Sequence, residues 1–196
     1  MRRNVYLKAV TLLELIMAIV LLSMISLGFL SIDLFSRNSV LSADRQAKVQ
    51  NSVAFALAHM TKNIGNAIGD KNHPPVSFPT NVVVGGVDTY PGIIITVDGN
   101  NNGLLEFPTD GEVSYFYNET DHSLNYCSDC SSASNVEKLS NKVVSDLSST
   151  YVTYNNTTNY IEINLWGRWD PDNPATPQNP EVKLYSYVKM PLVSTN

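Results

Sequence analysis

The chain has 196 residues, of which 16% are charged and 43% hydrophobic, so it is neither a disordered protein nor one embedded wholly in a membrane. Its formal charge of −5 argues against nucleic-acid binding, which needs a basic surface for the phosphates. Three cations, Arg2, Arg3 and Lys8, precede the first apolar run. Without these three, the chain has ten basic and 18 acidic residues, and the resulting net charge of −8 suits an exported soluble domain.

The first predicted element is a membrane helix at residues 10–32, VTLLELIMAIVLLSMISLGFLSI, which contains one charge and no proline. About 20 apolar residues suffice to cross the hydrocarbon core as a helix. The cations ahead of this segment should keep the leader in the cytoplasm and the rest of the chain outside. An ordinary secretory signal has a shorter apolar region, followed by a small residue at its cleavage site. Here the small residue, Ala9, comes before the run, which argues against such a signal.

Glu14 is the one charge within this helix. A carboxylate in a membrane helix costs about 2.5–3.5 kcal/mol on insertion scales, and such residues usually mark function. The alternative is an acid that reaches back to the nearby membrane interface. Residues 8–15, Lys-Ala-Val-Thr-Leu-Leu-Glu-Leu, resemble the class III signal of type IV prepilins and type II secretion pseudopilins. That family has a short basic leader, a small residue, a hydrophobic first mature residue, then Thr-Leu and a glutamate at mature position five.

This resemblance implies that prepilin peptidase cleaves between Ala9 and Val10 and that Val10 is then N-methylated. It further implies that Glu14 pairs with the N-terminal amine of a neighbouring subunit during assembly. An acid and an ammonium that are each costly in lipid become tolerable as a pair. The sequence departs from the family in two places, since Ala9 replaces the usual glycine and Val10 the usual phenylalanine. Alanine is still small, so we expect processing.

Residues 33–70 are predicted to continue the same helix as an amphipathic half. No proline interrupts residues 10–68, and Gly69, Asp70 and the Pro74-Pro75 pair supply a stop. Apolar residues at steps of three and four predict one buried face: Val49, Val53, Leu57, Met60, Ile64 and Ile68.

Residues 71–196 are predicted to form a β-rich head, so the fold class is α+β: a pilin fold with a long N-terminal helix on an antiparallel β-sheet, after a leader at 1–9. Residues 136–147 fit either a short helix or a strand at 143–144. Four prolines make 170–180 an exposed loop. β-branched and aromatic residues bounded by turn residues predict strands at 82–84, 92–97, 113–117, 151–154, 160–166 and 182–188.

The layout of the whole chain resembles the larger minor pilins, the J-type pseudopilins and PilW-type pilins. These have a hairpin-rich head and a last long strand near the C-terminus. The resemblance implies a subunit near the filament tip that primes assembly of a type IV pilus or a type II secretion pseudopilus. The implied partners are other pilins, prepilin peptidase, the inner-membrane assembly platform and, before assembly, membrane lipid. The chain would cross the inner membrane once, with its head outside, and then enter a periplasmic or cell-surface filament.

One turn of the head has the spacing of a calcium loop. Asp98, Asn100 and Asn102 place oxygen side chains at positions 1, 3 and 5, and Gly103 stands at position 6, as in the start of an EF-hand loop. Glu106 occupies position 9, but position 12 is a threonine instead of the expected glutamate. The alternative is a polar β-hairpin turn, which Asn and Gly favour for backbone reasons. Calcium is therefore an optional ligand, and no cofactor is required.

The only cysteines, Cys127 and Cys130, form a close pair that favours a structural disulfide fixing a local turn. A redox pair would need a helix N-terminus in a thioredoxin-like setting, which this β-rich stretch lacks. A zinc site would need two further ligands, and His122 is the one histidine nearby.

No motif of the sequence indicates an enzyme. The three histidines form no triad or metal set, and a Gly-rich phosphate loop is lacking. The stretch Trp166-Gly-Arg-Trp169 fits either a sugar platform or packing at a strand end. Two alternatives to a minor pilin remain. One is a major pilin, and the other is a signal-anchored extracellular binding protein, adhesin-like or lectin-like, which would keep residues 1–9 and would not need Glu14.

Overall fold

The computed structural model describes residues 11–70, 73–78, 82–86, 88–100, 102–106, 110–144, 152–155 and 160–189. The chain divides into two compact units, Met1–Leu41 and Ser42–Asn196. Helix α1, Leu12–Gly65, begins in the first unit and ends in the second.

In the first unit, α1 exposes every described side chain. Three serines interrupt the apolar run, and the hydroxyls of Ser23, Ser26 and Ser31 donate to carbonyl oxygens four residues earlier, at 2.7, 2.8 and 2.9 Å. Because these bonds are made within the helix, the hydroxyls need no water, which suits a helix in hydrocarbon. Asp33 and Arg37 form an ion pair one turn apart, with 3.0 Å between Oδ2 and Nε.

In the second unit, α1 buries most of the predicted stripe against the sheets, but Leu57 is only partly buried and Ala56 is buried beside it. The helix ends at Gly65, a few residues before the predicted stop. Ala67 and Ile68 are still buried, but they lie alongside the strand Gly92–Val97 and no longer belong to the helix. Ala67 forms a β-bridge with Val97, and the N–H of Ile68 donates to the carbonyl of Thr96 at 2.9 Å. The buried positions of the helix are Val49, Val53, Ala56, Met60 and Ile64.

The rest of the second unit is built from antiparallel strands. A five-stranded sheet has the order β1-β4-β5-β6-β7, a three-stranded sheet has the order β10-β9-β8, and β2 pairs with β3 in a hairpin. A short 3₁₀ helix, Ala133–Asn135, precedes β7. The strands are β1 Val76–Ser77, β2 Val82–Val84, β3 Asp88–Tyr90, β4 Gly92–Val97, β5 Gly111–Asn118, β6 Ser123–Cys127, β7 Val136–Ser140, β8 Val152–Asn155, β9 Tyr160–Arg168 and β10 Glu181–Lys189.

The five-stranded sheet is covered on both faces. On one face the stripe of α1 forms the main core with residues of both larger sheets, including Ile95, Tyr115 and Ile163. On the other face the β2–β3 hairpin forms a smaller core, in which the ring of Tyr90 stacks on that of Phe116 with centroids 5.0 Å apart.

The segment after β7 runs beside β9 and so connects the two larger sheets. The N–H of Val144 donates to the carbonyl of Trp166 at 2.9 Å, and the N–H of Arg168 donates to that of Lys142 at 2.7 Å. Gly167 lies between these contacts, and a Cβ there would collide with a methyl group of Val53. Glycine is therefore required for β9 to approach the helix this closely.

The proline-rich segment 170–180 is an exposed loop, as predicted, and two side chains of α1 donate hydrogen bonds to it. The Ser42 hydroxyl donates to the Pro177 carbonyl, and the Arg45 guanidinium donates to the Gln178 carbonyl at 2.6 Å. Asn179 is the buried centre of the loop, because its side-chain amide donates to three loop carbonyls at 2.9–3.1 Å.

The predicted α+β class, a long N-terminal helix packed on antiparallel sheet, is confirmed. Strands at 82–84 and 92–97 have their predicted bounds, and those around 113–117, 160–166 and 182–188 are longer than predicted. The helix alternative for 136–147 is wrong over residues 136–144, since 136–140 form β7 and Val143 bridges to Gly167; residues 145–147 lie outside the described residues. The sequence did not predict β1, β3, β6 or β7. In β6 the polar residues Ser123 and Asn125 are buried because they bond each other, Nδ2 to Oγ at 2.7 Å.

Candidate functional site

The N-terminus of α1 is capped by reciprocal hydrogen bonds between Thr11 and Glu14. The N–H of Glu14 donates to Thr11 Oγ1 at 3.3 Å, and the N–H and hydroxyl of Thr11 donate to Glu14 Oε2 at 2.9 and 3.0 Å. This is a capping box, which satisfies backbone donors that a helix start leaves unpaired. The assembly role predicted for Glu14 is thus joined by a local one, which the Thr-x-x-Glu pattern already indicates.

Glu14 keeps one carboxylate oxygen available to another molecule. Both bonds from Thr11 end on Oε2, and Oε1 accepts no hydrogen bond from any residue that the structure describes. In hydrocarbon an unpaired charged oxygen is costly until a cation or donor reaches it. Ala9 and Val10, the predicted cleavage and methylation site, lie outside the described residues.

The apolar surface of the first unit is the second feature of this site. Helix α1 is long and apolar enough to cross a membrane. Over residues 12–41 no apolar side chain is buried, and Leu12 and Phe35 are 78% and 74% exposed. Burying such a surface is worth about 25 cal/mol per Å², so a run of this size indicates lipid or protein around it. The helix therefore fits a single-pass membrane anchor.

The residues predicted to bind calcium lie together in the turn between β4 and β5. Asp98 accepts the N–H of Gly103 at 2.8 Å, and the amide groups of Asn100 and Asn102 donate to Glu106 Oε2 at 3.3 and 3.0 Å. Gly103 has a φ of +76°, which glycine adopts without a Cβ clash. The side chains thus converge, but they bond one another and the backbone, as in the polar-turn alternative.

Asp110, which the sequence analysis did not single out, closes the base of this turn. It is 2% exposed, and its carboxylate accepts the N–H of Gly99 at 2.9 Å and that of Glu106 at 2.6 Å. Its position one residue before β5 gave no sign in the sequence that it would be buried. Among the residues described, no three or more His, Cys, Asp or Glu side chains are grouped to hold a metal ion.

Cys127 and Cys130 are joined as the predicted disulfide, with their Cα atoms 5.4 Å apart. Cys127 is buried at the end of β6 and packs with Phe116 in the smaller core. The carbonyl of Cys130 accepts the N–H of Gly85 in the β2–β3 turn at 2.9 Å. The pair therefore fixes the turn after β6 beside the hairpin that covers the sheet.

The two tryptophans lie in different environments. Trp169 packs against the main core, with Lys142 Nζ 4.6 Å and the Arg45 guanidinium 5.7 Å from its ring centroid. Trp166 lies on the opposite face of β9, where Lys183 Nζ is 3.6 Å from its ring centroid. The predicted sugar platform would therefore contain Trp166 without Trp169.

The histidines take part in local contacts. His59 Nδ1 lies 2.8 Å from the hydroxyl of the buried Tyr115. His122 has a positive φ of 51°; its Nδ1 is 2.8 Å from the Tyr117 hydroxyl and its Nε2 is 2.9 Å from Asp172 Oδ1. His122 therefore connects the β5–β6 turn to the 170–180 loop, and the zinc alternative for the cysteines receives no support from it.

No family model, curated protein or solved structure matches this chain in the three comparisons. The functional assignment therefore depends on the residues and contacts described above.

Proposed function

We propose that this protein is a minor pilin or pseudopilin, a structural subunit and not an enzyme, that assembles into a type IV pilus or a type II secretion pseudopilus. The observation that carries the proposal is the surface of α1 over residues 12–41. It is wholly exposed in the single chain, and over residues 12–32 it is apolar apart from one acid, Glu14, at its start. The next charges, Asp33 and Arg37, pair with each other. A set of such helices would bury one another's apolar surfaces in a filament core.

In this proposal the carboxylate of Glu14 guides the packing of helices. Prepilin peptidase cleaves between Ala9 and Val10, and the new amine of Val10 becomes N-methylated. A subunit entering the filament brings that amine to the Glu14 carboxylate of its neighbour, where Oε1 is available. Pairing removes the cost of two separate charges in an apolar surrounding.

The proposed location follows from the leader and the helix. Arg2, Arg3 and Lys8 hold the leader on the cytoplasmic side, and the acidic head lies outside the inner membrane. The partners are lipid before assembly, then prepilin peptidase, the assembly platform and other pilins. By the resemblance of the whole chain to J-type and PilW-type subunits, we place it in the priming complex at the filament tip.

The deciding experiment is intact-mass and N-terminal peptide analysis of the protein purified from membranes. We expect a mature chain that begins at Val10 and carries one methyl group. The host must process a second, known prepilin in the same preparation, as a control for peptidase activity. A chain that still begins at Met1 in those cells would falsify the proposal. The signal-anchored binding protein would then be the better account, and the exposed aromatic face described below favours it as second candidate.

A further inference from the structure

The outer face of the three-stranded sheet is a continuous polar and aromatic surface. Strands β9 and β10 pair over their full nine residues, so their side chains alternate between the core and solvent. No aliphatic side chain occurs at the outward positions of these two strands, which the structure describes completely. The outer face, as defined here, consists of Tyr160, Glu162, Asn164, Trp166 and Arg168 of β9 and Glu181, Lys183, Tyr185, Tyr187 and Lys189 of β10.

Exposed tyrosine rings alternate on this face with planar hydrogen-bonding groups. Tyr185 and Tyr187 are 64% and 68% exposed. In the register of the sheet, Tyr185 lies opposite Asn164 and Tyr187 lies opposite Glu162. The rings are attached to regularly paired strands, so a ligand that stacks on them orders little additional structure.

The side-chain oxygens opposite these rings can accept further hydrogen bonds. Glu162 Oε1 accepts from Asn164 Nδ2 at 3.2 Å and from the Tyr187 hydroxyl at 3.3 Å. Glu162 Oε2 and Asn164 Oδ1 accept no bond from any described residue. Glu162 also borders a groove of about 390 Å³, whose lining includes Tyr160 and Tyr187. That volume lies in the range of small-ligand sites, about 300–1,000 Å³.

The charges of the face select for a neutral ligand. Arg168 forms an ion pair with Glu181, and Lys183 lies 3.4 Å from Glu181 Oε1 and also over the Trp166 ring. These two cations are therefore matched within the sheet. Lys189, at the end of β10, is the one further cation of the face, and a single cation forms no cluster for phosphate or another anion. Glu162 is a single carboxylate bonded to two neutral groups, which is too little for a cation site.

We propose that the outer face binds a neutral oligosaccharide. The Tyr185 and Tyr187 rings stack on the apolar C–H faces of the sugar, while Glu162 and Asn164 accept its hydroxyl groups. Tyrosine and tryptophan are also enriched at protein–protein interfaces, so a protein partner is the other occupant that the test must distinguish. The proposal goes beyond filament assembly and does not rest on it.

The test uses the full chain in lipid nanodiscs, because glucoside and maltoside detergents would compete for a sugar site. Maltohexaose, cellohexaose and chitohexaose are titrated separately by calorimetry. We expect saturable binding of at least one hexasaccharide. Tyr185→Ala and Tyr187→Ala should each weaken it about tenfold, the change expected from losing about 1.4 kcal/mol. Phe55→Ala is the matched control, since Phe55 is an exposed ring on α1, 55% exposed, and its removal should leave binding unchanged.

Two further variants separate the contacts. Tyr187→Phe keeps the ring and should retain binding, whereas Glu162→Gln should weaken it several-fold while the thermal unfolding midpoint stays the same. The proposal is overturned if none of the three sugars binds at about 1 mM, the weak end of specific affinity. It is also overturned if binding survives both tyrosine-to-alanine variants. Loss of chain-to-chain crosslinking in these variants, without sugar binding, would instead assign the face to a protein partner.

Discussion

The two stretches of helix α1 have the same secondary structure and opposite environments. Over residues 12–41 every side chain is exposed, whereas over 42–65 five side chains are fully buried in the head. Two methionines show the contrast, because Met17 is 60% exposed and Met60 is 0% exposed. In the proposed filament the first stretch finds its partners outside the chain, whereas the second has them in the core of the head. A substitution should therefore affect assembly in one stretch and folding in the other.

The largest effect on assembly should come from Glu14→Gln, which tests the external partner most directly. Glutamine can still complete a capping box with Thr11, but it cannot pair with an ammonium group. We expect filament yield, counted by electron microscopy, to fall at least about tenfold, as for a loss of 1.4 kcal/mol or more. The head's free energy of unfolding should not change.

Thr11→Ala is the matched control for Glu14. It removes the hydroxyl partner of the capping box and leaves the acid in place. We expect filaments to persist at near wild-type yield. If Thr11→Ala reduced assembly as strongly as Glu14→Gln, the acid would act through the helix cap and the external pairing would be wrong.

The next effect is expected from Met60→Ala, compared with the same substitution at Met17. Met60 fills the main core, so its truncation should lower the head's free energy of unfolding by about 2–5 kcal/mol. Met17 has no contact in the core, and Met17→Ala should leave the unfolding midpoint in urea unchanged. Equal shifts of the unfolding midpoint for the two variants would show that both stretches of the helix contribute to the core of the head, and the division of the helix would be wrong.

A smaller effect is expected from removing the disulfide, which contacts only residues of the head. Replacing Cys127 and Cys130 together with alanine should lower the free energy of unfolding by about 2 kcal/mol or less, because the closed loop is short. The change should be local, since Cys127 belongs to the smaller core under the β2–β3 hairpin. Hydrogen exchange should rise in β2 and β3 and stay the same in α1. A uniform rise would show that the disulfide supports the whole head.

The ion pair between Arg168 and Glu181 predicts a modest pH dependence. The Arg168 guanidinium holds the pKa of the Glu181 carboxyl below its ordinary value of 4.5. Because the folded-state pKa is depressed, the pair stabilises the head above the ordinary pKa, and this contribution disappears as pH falls through the folded-state pKa. We expect Glu181→Gln to cost about 1 kcal/mol at pH 7, and this cost should shrink steadily as the pH falls below 4.5. A cost that does not change as the pH is lowered would assign the loss to packing.

The smallest effect is expected from calcium at the turn between β4 and β5. The oxygens of Asp98 and Asp110 already accept backbone N–H groups, so the turn should form without an ion. We expect the thermal midpoint in about 1 mM calcium to equal that in a chelator, because a ligand stabilises only what it binds. A calcium-dependent rise of the thermal midpoint that Asp98→Asn abolishes would instead establish this turn as a calcium-binding loop.

The sequence predicted most where a pattern repeats over many residues. The stripe from Val49 to Ile64 has the helical period, and β9 alternates from Ile161 to Leu165. Short strands with polar residues were missed. Asn125 does not look like a core residue until its bond to Ser123 is known. Asp110 was missed for the same reason, since an isolated acid gives no sign that it will be buried on two backbone N–H groups.

The sequence by itself determined the division of this protein into an apolar helical segment and a β-rich head, because hydrophobic run length and period depend only on the order of residues. The Thr-x-x-Glu spacing at the start of the helix was also present in the sequence, but its capping role was recognised only from the hydrogen bonds of the structure. The tertiary structure decided which polar and aromatic residues share a surface. Trp166 and Trp169 are near neighbours in the chain and lie in different environments, whereas Glu162 and Tyr187 are distant in the chain and face each other. Strand register brings such residues together, and register depends on the whole sheet.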